Sequence, residues 1–461
     1  MTGELLKNIY ERIPNGTKRL ASLLPFSLRA GGHYRGTSAM LEKSQWLPLN
    51  VLEQYQTRKL RDMLTYAYGK VSFYRQMFDS IRFDPLRFSH VDELEKLPLL
   101  TKKDVYEHYD LMVSTDFSTI NGYVGHTGGT TGQPLKLFFS LKSHFEEWAF
   151  MHSQWKRAGF QPGHRRVALL GVPFKKEKEA KWKFNPLHNE LQLSPRHLSS
   201  EDLSLYTDMI RKFKPRHLYG LPSALTVMAM HLINKGVTLP GIEAVLCGSE
   251  NMSEEQYSLL SNAFEARVYS WYGQTEKVVL GGACEHSREY HLFPEYGYTE
   301  LVDNSGKVIK EPGVVGEIVG TGFLNRAMPL IRYCTDDLAM YAAGPCSCGR
   351  AYARLERVVG RRGNDCMIST DNEKVLFSSI ETQRGAFSRV RQWQFIQRQP
   401  GLVEVHIMKE RGISADHLAA IEQELNGQFA GRITFVAFIA DDLFRTETGK
   451  IKNFILELAV P

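Results

Sequence analysis

Between residues 165 and 275 short apolar runs alternate with longer amphipathic ones, and this alternation limits the fold more than any other feature of the chain. Val167-Ala168-Leu169-Leu170-Gly171, His217-Leu218-Tyr219-Gly220, Ala244-Val245-Leu246-Cys247-Gly248 and Arg267-Val268-Tyr269 read as short buried strands. Ser200–Phe213 and Pro222–Lys235, between them, carry apolar side chains at helical spacing. Strands separated by helices pair in parallel, because the helix carries the chain back to the starting end of the sheet. The expected fold is therefore α/β, with mixed, largely parallel sheets flanked by helices. Ligands of such sheets bind at strand C-termini, and the segments at Gly248 and Tyr272 both follow predicted strands.

At 461 residues the chain is too long for one ordinary core, so more than one domain is expected. Residues 1 to about 120 read as helical: Leu52, Tyr55, Leu60, Met63, Leu64 and Ala67 share one helical face, and Thr101 heads a further helix. Phe145, Trp148, Ala149 and Trp155 repeat the helical spacing and read as core. After Gly360 the pattern changes. Trp393, Phe395, Val403, Val405 and Ile407 alternate with polar residues as half-buried strands do, and a helix from Ala415 to Leu425 precedes a strand from Ile433 to Ile439. This predicts a large domain over 1–360, with its helical segment 1–120, and a small α+β domain over 361–461.

A net charge of +6 is small for this length and gives no sign of nucleic-acid binding. No run of eighteen apolar residues occurs, so no integral membrane segment is expected. The first residues, MTGELLKNIYERIPNG, lack the apolar core of a signal peptide, and a cytoplasmic protein is expected. Leu20, Leu23, Leu24, Phe26 and Leu28 among basic residues leave a peripheral membrane role as the alternative. Six cysteines fit a reduced compartment.

Five short motifs carry the chemistry. Thr127-Gly128-Gly129-Thr130-Thr131-Gly132-Gln133-Pro134 lets backbone N–H groups and hydroxyls converge on an anion, without the Lys-Ser/Thr ending of a Walker loop. Downstream lie Tyr272-Gly273-Gln274-Thr275-Glu276, Tyr333-Cys334-Thr335-Asp336-Asp337-Leu338, Gly360-Arg361, and Arg445-Thr446-Glu447-Thr448-Gly449-Lys450. Singly each has a bland reading: a surface turn, a solvated Glu, an Asp pair capping a helix, a hairpin. In this order and at these separations they resemble the acyl-adenylate-forming superfamily of acyl-CoA synthetases, peptide-synthetase adenylation domains and luciferase.

That resemblance implies ATP-dependent activation of a carboxylic acid. Thr127, Gly128, Gly129, Thr130, Thr131 and Gly132 would hold the β- and γ-phosphates, and Glu276 would ligate Mg²⁺. Tyr272, Gly273 and the backbone of Gly248, Ser249 and Glu250 would border the adenine; Thr275 would touch the α-phosphate. Asp337 would accept from both ribose hydroxyls, a task needing two acceptor oxygens. Arg361, at the start of the C-terminal domain, would also bind ATP, and Lys450 would reach between carboxylate and α-phosphate, where charge builds up. Departures are Gln133 for a frequent Lys, Asp336 for a Gly, Cys334 for a basic residue, and a displaced acidic hinge residue, which leaves Gly363 or Asp365 as the pivot.

Pro345-Cys346-Ser347-Cys348 and Cys284-Glu285-His286-Ser287-Arg288-Glu289-Tyr290-His291 supply three thiols and an imidazole. Their spacing is not that of a zinc finger, but the set Cys284, His291, Cys346 and Cys348 resembles a pattern of the phenylacetate–CoA ligase branch and implies structural Zn²⁺. His286 is the competing fourth ligand, and buried free thiols are the alternative. The capsular-polysaccharide relatives of that branch share the pattern of Tyr55-Gln56 and Ser72-Phe73-Tyr74-Arg75.

The expected function is an AMP-forming acyl ligase that makes acyl-AMP and passes the acyl group to a thiol, CoA, or to an amine. An amide-forming ligase of a sugar acid or amino acid in surface-polysaccharide assembly is one alternative; a non-catalytic nucleotide-binding homologue is another. Acyl-pocket residues are expected within His152–Phe160, Tyr219–Ser223 and Gly248–Asn251. Lys175, Lys176, Lys178, Lys181 and Lys183 read as a solvated loop or as attraction for an anionic substrate. Monomer and homodimer both remain open.

Overall fold

The structure is a computed structural model that describes residues 21–118, 122–127, 135–170, 181–195, 197–361, 366–377, 380, 386–387, 390, 392–409, 413–429, 431–445 and 451–458. Helices α1 (Gly31–Ser44), α2 (Leu49–Lys70), α3 (Ser72–Ser80) and α4 (Lys102–Glu107) precede the hairpin β1 (Gly122–His126) and β2 (Lys136–Ser140). Thr101 starts α4 as expected: its hydroxyl accepts from the Asp104 N–H, and the Asp104 carboxylate accepts from the Thr101 N–H in return.

Next come α5 (Leu141–Lys156), β3 (Arg166–Leu169), β4 (Trp182–Asn185), β5 (Glu190–Leu193), α6 (Ser200–Phe213), β6 (His217–Gly220), α7 (Pro222–Lys235), β7 (Ala244–Cys247), α8 (Glu254–Phe264) and β8 (Arg267–Gly273). From there the chain is all β, through β9 (Leu280–Gly282), β10 (Tyr290–Leu292), β11 (Gly297–Val302), β12 (Val308–Ile309), β13 (Val315–Gly322), β14 (Tyr333–Tyr341) and β15 (Arg354–Arg361). Strands β3 to β15 form one sheet, in the order β12-β11-β13-β14-β15-β10-β9-β8-β7-β6-β3-β5-β4.

The mixed sheet was expected, but its parallel part is narrower than "largely parallel". Parallel pairing is confined to β5–β3, β3–β6, β6–β7 and β7–β8, and the other neighbours are antiparallel. The reason lies in the connections. Helical crossovers end with α8; the short links after β8 can only return the chain antiparallel. Strand β8 also runs past the predicted Tyr269, so Tyr272 and Gly273 lie within it.

Each half has its own core. Leu203, Tyr206 and Ile210 of α6, Leu225 and Met228 of α7 and Leu260 of α8 cover the parallel half. Leu60 and Leu64 of α2 and Tyr74 and Phe78 of α3 pack with Ile318, Tyr333 and Val278 on the antiparallel half. Each such large side chain contributes about 1.5–3 kcal/mol on burial.

The C-terminal part contains β16 (Cys366–Ile368) and β17 (Lys374–Leu376) as a pair. Strands β18 (Trp393–Gln399), β19 (Leu402–Met408), β20 (Thr434–Ala440) and β21 (Phe454–Leu456) form a sheet ordered β20-β19-β18-β21, beside α9 (Ala415–Gln428). Val403, Val405 and Ile407 are buried in alternation, as predicted, and close a core with Phe395, Ile421, Leu425 and Phe435.

Candidate active site

Strand β8 is the seam of the sheet. Its Arg267–Ser270 half pairs in parallel with β7, and Trp271–Gly273 pairs antiparallel with β9. Tyr272 is therefore carried at the point where the strand arrangement changes. Its hydroxyl donates to Asp337 Oδ2 at 2.7 Å and accepts from Gln274 Nε2 at 2.7 Å. Burial, with the Asp337 charge added, holds the Tyr272 phenol well above its ordinary pKa, so it stays a donor. The Asp337 backbone is braced by Thr335 Oγ1, which accepts from its N–H at 3.2 Å and donates to the Ile318 carbonyl at 2.8 Å.

A second tie joins the same two segments: Tyr333 Oη donates to Glu276 Oε1 at 3.2 Å. Thr275 and Gly273 are exposed beside it. Gly248 follows β7 and lies under Trp271, where a Cβ would come within 2.3 Å of the indole. Ser249 is left-handed (φ 70) and exposed, while the Glu250 carboxylate accepts from the Ser223 N–H (2.9 Å) and hydroxyl (3.1 Å) at the start of α7. The Arg361 backbone pairs with Asp337, and Gly360 with Leu338. Thr127 closes the β1–β2 hairpin: its N–H donates to the Leu135 carbonyl at 2.9 Å, and its Oγ1 accepts from the Leu135 N–H at 2.8 Å. Gly128, Gly129, Thr130, Thr131, Gly132 and Gln133 lie outside the described residues, as do Lys450, the hinge residues Gly363 and Asp365, and Lys175, Lys176 and Lys178.

The structure brings Cys284, His291, Cys346 and Cys348 together, with their ligand atoms all within 4.8 Å of one another. Cys284 Sγ lies 3.7 Å from Cys346 Sγ, and Cys348 Sγ lies 3.3 Å from His291 Nε2. His291 Nδ1 donates to the Glu289 carbonyl at 3.2 Å, leaving Nε2 to face the thiols. The His286 and Ser287 N–H groups donate to Cys284 Sγ at 3.3 and 3.2 Å. His286 is not part of the cluster and lines a surface pocket with Tyr257, Ser261, Arg267 and Arg288. The cluster ties the β9–β10 link to the β14–β15 link, and β14 carries Asp337.

The sequence profile of the AMP-binding enzyme family matches residues 121–324, a span that contains the Gly-rich run, Tyr272 and Glu276. A phenylacetate-coenzyme A ligase of Thermus thermophilus is 25% identical, over 82% of this chain and 85% of its own. Protein CapK of Staphylococcus aureus is 22% identical over 88% of this chain and 89% of its own. The profile and these relatives support the acyl-adenylate-forming superfamily. Within it the relatives place the chain in the phenylacetate–CoA ligase/CapK-like branch, as an AMP-forming acyl-CoA ligase-like enzyme. The fold is also that of solved ligases. A 2-hydroxyisobutyryl-CoA ligase in complex with an acyl-AMP superposes with a TM-score of 0.69 at 16% identity, covering 89% of this chain and 90% of that one.

Against the background of this superfamily, the residues that sequence reasoning missed are the supports: Gln274, Thr335 and Tyr333. Alternation along β14 could not have found them, because the strand is irregular between Cys334 and Leu338 and Asp336 is left-handed (φ 62). On the parallel half, the sheet face turned to α5 carries Tyr219 and Trp271, whose rings pack against Trp155 at 4.9 and 5.9 Å. The buried Arg166 pairs with Glu190 at 2.6 Å beneath them. Lys181 pairs with Asp202 on α6 at 2.5 Å, a contact within the fold. No helix among the described residues is long and apolar enough to cross a membrane.

Proposed function

We propose that this protein activates a carboxylic acid with ATP and transfers the acyl group to the thiol of CoA. In the first step a carboxylate oxygen attacks the α-phosphorus and pyrophosphate leaves. In the second, the thiol sulfur attacks the acyl carbon and AMP leaves. Both partners of the first step are anions, so the protein's task is positioning and charge neutralisation.

The observation that carries this reading is the Tyr272–Asp337 bond. It holds the Asp337 carboxylate of β14 against the end of β8, and a carboxylate there suits a ribose diol, which needs two acceptor oxygens. Tyr272, Gly273, Gly248, Ser249 and Glu250 then border the base, and Thr275 the α-phosphate. Glu276 takes Mg²⁺, which needs few protein oxygens beside phosphate and water. Thr127–Gly132 take the β- and γ-phosphates, and Lys450 arrives from the C-terminal domain, whose start we put at 361. Trp155, Tyr219 and Trp271 border the acyl side.

Zinc is proposed for the thiol cluster. Tetrahedral Zn–S bonds of about 2.3 Å require S···S edges of about 3.8 Å, and the Cys284–Cys346 separation is 3.7 Å. The ion would be structural, bracing β14 against the segment that follows Glu276.

The test is ATP-dependent pyrophosphate release with Mg²⁺ across aryl, aliphatic, amino and sugar acids, each with and without CoA, with Lys450→Ala as blank. Acid-dependent release that the variant loses, followed by thioester formation, is expected. ATP binding with no release from any acid would favour a nucleotide sensor, and release discharged only by amines would favour an amide-forming ligase.

A further inference from the structure

Lys277, the residue after Glu276, is buried, with its side chain only 5% exposed. An ammonium is costly to bury unless it is paired and hydrogen-bonded, so a lysine here calls for an account. Its partners come from three elements. Glu147 Oε2 of α5 lies at 2.7 Å, Tyr123 Oη of β1 accepts at 3.1 Å, and the Phe139 ring of β2 lies 4.9 Å from Nζ. Tyr123 and Phe139 are cross-strand partners in the hairpin, with ring centroids 5.3 Å apart. Glu147 is held in turn by Tyr296 Oη, which donates at 3.1 Å.

The backbone of the same residue is fixed from below. Lys277 is left-handed (φ 58), and its carbonyl lies where a Cβ on Gly322 would come within 2.6 Å. A Cβ on Gly297 would meet the Val278 carbonyl at 2.2 Å. Glycines of β11 and β13 thus form a floor that seats the turn carrying Glu276. Burial pulls the Lys277 ammonium down, but Glu147 and Tyr123 outweigh it, and the charge persists.

We propose that Lys277 is a positioning residue that ties the turn carrying Glu276 to the β1–β2 hairpin and to α5, so that the Mg²⁺ ligand is held where it meets the triphosphate. The proposal rests on the nucleotide reading above. A methyl-bearing side chain could fill the same space; only a charge satisfied in three directions fixes the hairpin's place along the turn. The requirement applies to the β- and γ-phosphates alone. AMP, which lacks them, meets Tyr272 and Asp337 and gains nothing from the pin.

The experiment is calorimetric binding of α,β-methylene-ATP with Mg²⁺, and of AMP, to wild-type protein, Lys277→Met, and the double variant Lys277→Met/Glu147→Gln, which leaves no unpaired carboxylate. The expected result is a loss of about tenfold or more for the triphosphate in both variants, with AMP within about twofold of wild type. A double variant that binds both ligands like wild type overturns the pin. So does a parallel loss of both ligands in both variants, which would mark a general structural role. Wild-type protein that binds neither ligand overturns the nucleotide reading itself.

Discussion

Tyr272 and Asp337 touch across 2.7 Å although β8 and β14 are separated in the sheet by β9, β10 and β15. Four strand spacings would put them about 19 Å apart in a flat sheet. The antiparallel half must therefore roll over until its fourth strand from the seam faces β8. That roll, and not proximity along the chain, brings Tyr272 to Asp337 and Glu276 to Tyr333.

Removing the bond while keeping the ring tests that geometry. Tyr272→Phe removes this buried donor from Asp337, a loss on the order of 1–3 kcal/mol. The expected effect is a rise of about tenfold in the KM for ATP with a smaller change in kcat, read by pyrophosphate release. An unchanged KM would remove Asp337 from the ribose.

Gly248 leaves no room for a methyl group beside Trp271. Gly248→Ala should displace the indole and cost about 1–3 kcal/mol of stability, with loss of adenylation. Thermal unfolding and the shift of tryptophan emission check it. A normal Tm and emission would mean that Trp271 has somewhere else to go.

Zinc is expected at one ion per chain by elemental analysis. Cys284→Ser and Cys346→Ser should each lower the metal content and the Tm, whereas His286→Ala should leave both unchanged. Metal retained in the cysteine variants would defeat the assignment.

Charge at the transferring phosphate should depend on Lys450. Lys450→Ala is expected to slow pyrophosphate release about 10²-fold or more, while calorimetry shows AMP still bound.

Acid stability should depend on His188. Burial, helped by Arg166, pushes its imidazole down to about 4 from the ordinary 6.5. The folded form therefore refuses a proton that the unfolded chain accepts. This contribution is neutral above pH 6.5 and destabilises progressively as pH falls toward 4, by about 3 kcal/mol at most. His188→Gln should flatten that part of the Tm–pH curve; a curve parallel to wild type would refute the assignment.

Much of the local structure was legible in the amino-acid sequence. Ser200–Phe213, His217–Gly220 and Pro222–Lys235 match observed elements end to end, because burial of one face imposes its period on the residues themselves. The Cys and His set was legible as a set, and the fourth ligand between His286 and His291 was not. That choice turns on which ring faces Cys348.

The sequence alone determined where the helices and most strands of the parallel half run and which residue types are available for nucleotide chemistry, since both depend on neighbours a few positions apart. Only the tertiary structure decided that Tyr272 would reach Asp337, that Tyr333 would hold Glu276, and that Lys277 would meet Glu147 and Tyr123. Those contacts join residues 57 to 154 positions apart. They depend on strand order and on the roll of the sheet, which many weak packing contacts set together and no single stretch of chain encodes.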